Sequence, residues 1–214
     1  MLKNTSVFST TMQRAPALRS GVIERAATIA LLAAPLRQEL LDTLAALGGE
    51  AAVADLAAHM GCPADGLYYH LRLLQRGGLL VALPGRRRDG RPERRYRIAA
   101  ARGQRLRLAY RPAERANRTA VGRVVDGMLR IARRDFHAGL CRPEVAIEGP
   151  GRELWAARGK GWIAAADLIE LNALLDRLVA LLNRPRRAGR DHLMSLCFVL
   201  APITARARRR PATR

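Results

Sequence analysis

Lysine is nearly missing from this chain of 214 residues, with Lys3 and Lys160 as its only two. Arginine therefore carries almost all the positive charge, and 38 basic side chains against 18 acidic ones leave a net charge of +20. Nucleotide bias accounts for arginine in place of lysine. It does not account for the shortage of carboxylates. A surplus of this size favours a polyanionic partner such as nucleic acid or an anionic membrane surface. Aromatic residues make up only 4% against 49% hydrophobic residues in total, so the core is built mainly from Leu, Ala and Val. Cysteine is scarce too. Cys62, Cys141 and Cys197 are far apart, odd in number and not in a CxxC pair. That excludes a disulfide framework and a cysteine zinc site, and fits a reducing cytoplasm. No stretch approaches the ~20 consecutive apolar residues of a membrane span, and the N-terminus has no apolar run of a secretory signal.

Catalytic patterns are missing as well. No Ser-His-Asp set, phosphate-cradling glycine loop or closely spaced carboxylate pair stands in the chain, and His59, His70, His137 and His192 are scattered. An enzyme is not expected, nor is a cofactor or a metal site. Asp135 and His137 are two apart, which is poor spacing for shared ligation on a helix.

What is present is a run of periodic segments. Residues 1–22 are expected as a disordered arm. Over 23–47 the pattern is helical, with Leu36, Leu40, Leu44 and Leu47 on one stripe, Pro35 at a helix start and Gly48-Gly49 at its stop. A second helix is expected over 51–60, ended by Gly61. A third follows over about 63–76. Pro63 suits its first turn, where no N–H is needed. Leu67, Leu71 and Leu74, spaced i, i+4, i+7, turn inward. Gly77-Gly78 closes it. Two strands are expected over 79–83 and 94–99, with Pro84-Gly85 and Asp89-Gly90 as turn signals between them.

Helix, glycine turn, helix and arginine-crowded hairpin together make a winged helix-turn-helix, a layout that places a helix in a DNA groove. Groove readout needs a helix anchored on one face with polar side chains on the other. The third helix turns Tyr68, Tyr69, His70 and Arg72 outward. Tyrosines reach phosphates through their hydroxyls or thymine methyls through their rings, and Arg72 suits a phosphate or a guanine edge. The loop Arg86-Arg-Arg-Asp-Gly-Arg-Pro-Glu-Arg-Arg-Tyr-Arg holds seven arginines against two acids. At a hairpin tip, Arg86, Arg87, Arg88, Arg91, Arg94 and Arg95 would lie along the sugar-phosphate backbone or enter a minor groove. Arg95 and Arg97 alternate with Tyr96 and Ile98, so the arginines face out and the other pair packs.

Residues 25–100 resemble the winged-helix domain of the ArsR-type bacterial transcription regulators. The likeness rests on Leu36-Arg37…Leu40-Leu41, Val53-Ala-Asp-Leu-Ala, Leu67-Tyr-Tyr-His-Leu-Arg-Leu-Leu, Gly78-Leu-Leu and Arg91-Pro-Glu-Arg-Arg-Tyr. It covers about a third of the chain. The resemblance implies a homodimeric repressor or activator on a near-palindromic operator of double-stranded DNA, with Gly66, Tyr68, Tyr69 and Arg72 facing the DNA. The family's metal sensors carry a cysteine pair in the second or third helix. This chain has no cysteine before Cys62, so metal sensing through that site is not expected.

Residues 101–113 are basic and are expected as a linker. Residues 114–205 are expected as a dimerisation or effector domain, followed by a basic tail over 206–214. Within that half, 114–140 is helical, with a stripe of Val121, Val124, Val125, Met128, Ile131 and Ala132, and is expected to pair with a second subunit. Short strands are expected over 145–148 and 153–163. Another helix is expected over 167–183, with Leu168, Leu171, Leu175, Leu178 and Leu182 on one side. Leu193 to Val199 is an apolar run of strand length. Trp155 and Trp162 either fill an Ala-rich core or edge a pocket for a small-molecule effector. The whole is expected as mainly α with small β (α+β): a cytoplasmic, homodimeric winged helix-turn-helix regulator. The alternative is a winged-helix protein using its basic surface on RNA or on a protein partner.

Overall fold

The computed structural model describes residues 21–88, 91–101, 104–184 and 186–203, and of 85–88, 91 and 92 it describes the backbone alone. The N-terminal arm over 1–20 and the basic tail beyond 203 lie outside the described residues. The elements run β1 (Val22–Ile23), α1 (Ala26–Leu31), α2 (Pro35–Ala46), β2 (Glu50–Ala52), α3 (Val53–Met60), α4 (Ala64–Arg76), β3 (Leu80–Arg88), β4 (Arg91–Ile98), β5 (Arg107–Leu108), α5 (Arg115–Leu140) and α6 (Ala165–Leu182).

The first helical stretch is two helices rather than one. Pro35 disfavours helical backbone at the residue before it, and Ala34 is extended. The chain therefore turns between α1 and α2, and Pro35 opens α2. Ile23, expected as helical, stands instead in β1. This two-residue strand pairs in parallel with β5, Val22 opposite Arg107 and Ile23 opposite Leu108. The segment expected as a linker is thus tied back to the N-terminal domain. Ile23 is fully buried by that pairing.

Gly61 ends α3 in the left-handed conformation, φ 62°, which costs a residue without Cβ little. The chain reverses there, and Pro63 caps α4. Leu67, Leu71 and Leu74 of α4 are buried, and they meet Leu40 and Leu44 of α2 and Leu56 of α3 in one core. Gly78, φ 76°, then turns the chain into β3. Strands β2, β4 and β3 form one antiparallel sheet in that order. Glu50–Ala52, whose last two residues are expected as the start of a helix, is its edge strand. The two hairpin strands are longer than expected. Pro84-Gly85 does not turn the chain but sits in a register irregularity between Leu83 and Arg86, beyond which pairing resumes to Arg88 opposite Arg91. Tyr96 is buried between the sheet and the helices, and Ile98 is half-buried, as the alternation predicts.

α5 is 26 residues long, about 39 Å at 1.5 Å per residue. It packs on α1 and α2. Its buried residues are Asn117, Ala120, Val124 and Gly127, while Val121, Val125, Met128, Ile131 and Ala132 are half-buried. Two buried amides fix it. The Asn117 side-chain oxygen accepts from the Arg111 N–H at 2.9 Å, and its amide donates to the Ala109 carbonyl at 3.0 Å. Gln38 Nε2 donates to the carbonyls of Leu32 and Val124, the latter at 3.0 Å. Gly127 faces Gln38 at a distance that leaves no room for a Cβ.

Beyond α5 the packing thins. Residues 145–163, expected to hold two strands, contain none; backbone bonds from the Glu153 N–H to the Ala146 carbonyl, 2.6 Å, and from the Arg152 N–H to the Gly149 carbonyl, 3.4 Å, close the Gly149 turn. α6 forms where the leucine pattern predicts it, but none of its residues is buried.

Candidate nucleic-acid interface

α4 is anchored on one face by Leu67, Leu71 and Leu74. The opposite face presents Gly66, Tyr69 and Arg72 to solvent, with Tyr69 56% exposed. Arg76 is exposed one turn beyond Arg72. Neither Arg72 nor Arg76 is ion-paired with a described residue. A helix held this way presents its polar side chains without reorganising the core beneath them.

Tyr68 and His70 sit differently from the outward set that the helix period predicts. Tyr68 is half-buried and packs on the core edge, and the Arg94 guanidinium lies over its ring, 6.0 Å from the centroid. The contact joins α4 to β4. His70 is half-buried, and its Nδ1 is fully buried with no hydrogen-bond partner among the described residues. Burial, and secondarily the Arg37 charge, hold its pKa below the usual 6.5. Its ring meets that of Tyr69 edge to face, centroids 5.2 Å apart.

The β3–β4 hairpin projects beside α4. Arg94 and Arg97 are exposed, with no ion pair to a described residue. Arg95 is engaged within the sheet: its Nη2 and Nε donate to the Glu50 Oε1 at 3.0 and 3.3 Å. The side chains of Arg86, Arg87, Arg88 and Arg91 lie outside the described residues. Only their backbone register is known, and it places them at the far end of the hairpin.

Sequence reasoning missed Glu50 as the partner of Arg95 and Arg37 as the charge beside His70. Both are separated from their partners by dozens of positions, and no local spacing signals them. Sequence reasoning also missed Gln38. A lone glutamine near a leucine stripe gives little sign that it bridges to a helix 86 residues away.

The two tryptophans do not fill a core. Trp155 is 65% exposed with the Arg152 guanidinium over its ring, and Trp162 is 97% exposed. Neither lines the shallow groove between α1 and α5 or the one on α6. Cys62 is half-buried at the α3–α4 turn. Among the described residues, no group of three His, Cys, Asp or Glu side chains converges as a metal set, and no helix is long and apolar enough to cross a membrane.

Residues 32–81, which span α2 through the start of β3, match the family model of a helix-turn-helix domain. A search of curated proteins found no match to the chain. The helix-turn-helix match supports DNA binding and transcription regulation, and it covers the segment whose geometry is described above.

Proposed function

We propose that this chain is a sequence-specific, double-stranded-DNA-binding transcription regulator of the winged, ArsR-like kind, acting in the cytoplasm as a homodimer and without enzymatic activity. In this reading α4 enters the major groove. Gly66 allows close approach, and Tyr69 and Arg72 reach base edges or thymine methyls. The β3–β4 hairpin is the wing, laying arginines along the backbone or into the minor groove. Arg94 both faces the phosphates and braces Tyr68, and Arg95 sets the sheet through Glu50 rather than reaching DNA itself.

The observation that carries the reading is the division of α4: three fully buried leucines on one side, and exposed Tyr69 and Arg72 on the other, next to a hairpin dense in arginine. The long α5, bound to α2 through Gln38, joins this module to residues 141–203. A change in that half would therefore reach α2, against which α4 packs.

The test is competition at physiological salt. The purified chain is bound to labelled duplex DNA and challenged with unlabelled duplex or with folded RNA of equal length. Duplex is expected to displace the label at concentrations at least about tenfold lower than RNA, since each tenfold step corresponds to only about 1.4 kcal/mol of discrimination. Equal competition by RNA would contradict a DNA regulator.

A further inference from the structure

We infer that α6 and the apolar segment that follows it, residues 191–203, form an interface with a second copy of this chain. The inference rests on the dimeric regulator proposed above and names the surface that makes the dimer.

Leu168, Leu171, Leu175, Leu178 and Leu182 recur at alternating steps of three and four, the spacing of a helix that lays a seam against another helix. The chain covers that seam only in part: Leu171 and Leu175 are half-buried. α6 has no buried residue, and Leu168, Leu178 and Leu182 are each more than 40% exposed. A shallow apolar groove runs along the helix between Leu174, Leu178 and Leu181, bounded by Arg177 and Arg184. It has the open shape that receives side chains of a partner helix.

The segment after α6 has the same character. Leu193, Leu196, Phe198 and Val199 are each at least 40% exposed. No backbone group over 191–203 makes a hydrogen bond to a described backbone group. An apolar stretch whose N–H and C=O groups have no backbone partner among the described residues is a template for strand pairing with another chain.

Area and charge select the occupant. The exposed apolar side chains of α6 present on the order of 500 Å² and those of 191–203 a similar area, and together they reach the ~800 Å² that each partner gives a stable interface. α6 itself carries Asp167, Glu170 and Asp176 against Arg177, with Asp176 also interacting with Arg105, within a chain of net charge +20. A surface of that sign does not attract DNA or anionic lipid. It is a less basic face than the chain as a whole, with Arg177 and Arg184 at the edge of its groove. A single seam turned on itself by a two-fold axis is self-complementary. α5 does not offer this: its inner face is used by α1 and α2, and its outer face carries exposed Arg115, Arg118, Arg123, Arg130 and Arg133.

The test is sedimentation velocity of the full chain across the micromolar range, beside Leu178→Asp. The wild type is expected to sediment as a dimer. Leu178→Asp is expected to dissociate at concentrations at least tenfold higher, with unchanged amide protection in α3 and α4 because α6 gives no residue to the core. Hydrogen exchange of the wild type provides a check that needs no variant: amides over 165–203 gain protection as concentration rises, while those of α3 and α4 do not change. A wild type that stays monomeric, a dimer indifferent to Leu178→Asp, or exchange over 165–203 independent of concentration overturns the inference. So does a monomer that co-sediments with zwitterionic phospholipid vesicles, which would assign the face to a membrane. Duplex-DNA affinity is scored on the same samples. A monomer that still prefers duplex DNA removes the interface alone, and a dimer without DNA binding removes the regulator reading alone.

Discussion

The guanidinium of Arg94 lies over the ring of Tyr68, 6.0 Å from its centroid, and joins the hairpin to the helix that bears the recognition surface. A cation over an aromatic face at an exposed site contributes about 0.5–1 kcal/mol. Replacing Tyr68 by Leu or Arg94 by Ala is expected to cost stability on that scale. In a double-mutant cycle the two losses should sum to more than the loss of the double variant, whereas Tyr68→Phe should be close to neutral. Additive losses in chemical denaturation would show that the two groups do not interact in solution.

Specificity and general affinity are expected to separate on the interface. Tyr69→Ala combined with Arg72→Ala should abolish preference for a specific site and leave weak binding to any duplex. Arg94→Ala combined with Arg97→Ala should instead weaken binding to all sequences. It should also reduce the salt slope by about 0.9 log units for each phosphate that an arginine no longer neutralises. Titrations at several salt concentrations with specific and random duplexes check this. Equal losses on both DNAs for both variants would overturn the division of labour.

The seam between α2 and α5 depends on one buried amide and one missing Cβ. Gln38→Leu removes the donor to the Val124 and Leu32 carbonyls and is expected to cost about 1–3 kcal/mol, or several degrees in Tm at this chain length. Gly127→Ala drives a methyl into Gln38 and is expected to cost about 1–3 kcal/mol by overpacking. Because the clash needs the glutamine, the double variant Gln38→Ala, Gly127→Ala should be less destabilised than the sum of Gln38→Ala and Gly127→Ala made singly. Thermal melts of the wild type, the two single variants and the double variant read this directly, and strict additivity would refute it.

His70 makes a pH prediction of definite sign. Its folded pKa lies below the unfolded value of 6.5, mainly from burial and then from Arg37. The unfolded chain therefore takes up the proton first as pH falls. The stabilising contribution of neutral His70 is fully present above pH 6.5 and is lost as the pH drops through and below that value. The stability difference between wild type and His70→Asn should therefore shift against the wild type on going from neutral to mildly acidic pH. A difference independent of pH in denaturant titrations would show that the ring is not held in the buried, unpartnered position described.

The parts of the molecule legible in the sequence are those built by short-range periodicity. Leu67, Leu71 and Leu74 define the inner face of α4, Gly61 and Pro63 define the turn before it, and the alternation from Arg95 to Ile98 defines the pleat of β4. Pairings between distant residues are not legible there. Val22 and Ile23 look helical or unstructured in their local context, yet they are drawn into a strand by Arg107 and Leu108, more than eighty positions away. Arg95 looks like one more free arginine of the hairpin until β2 brings Glu50 beside it. In the C-terminal half, periodicity locates α6 correctly, but a helical period says only that one face is apolar and not what covers it. Trp155 and Trp162 show the same limit: scarcity of aromatics suggests a core, and the chain leaves both at the surface.

The central claim is that α4 reads sequence, and the most direct measurement is selection from the protein's own genome. Sheared genomic fragments are retained on the purified chain at physiological salt and sequenced, beside the Tyr69→Ala, Arg72→Ala variant. A few strongly enriched fragments that share a near-palindrome are expected, with the enrichment lost in the variant. Uniform retention that disappears with salt, and is the same in both proteins, would contradict the claim and leave net charge as the whole basis of binding.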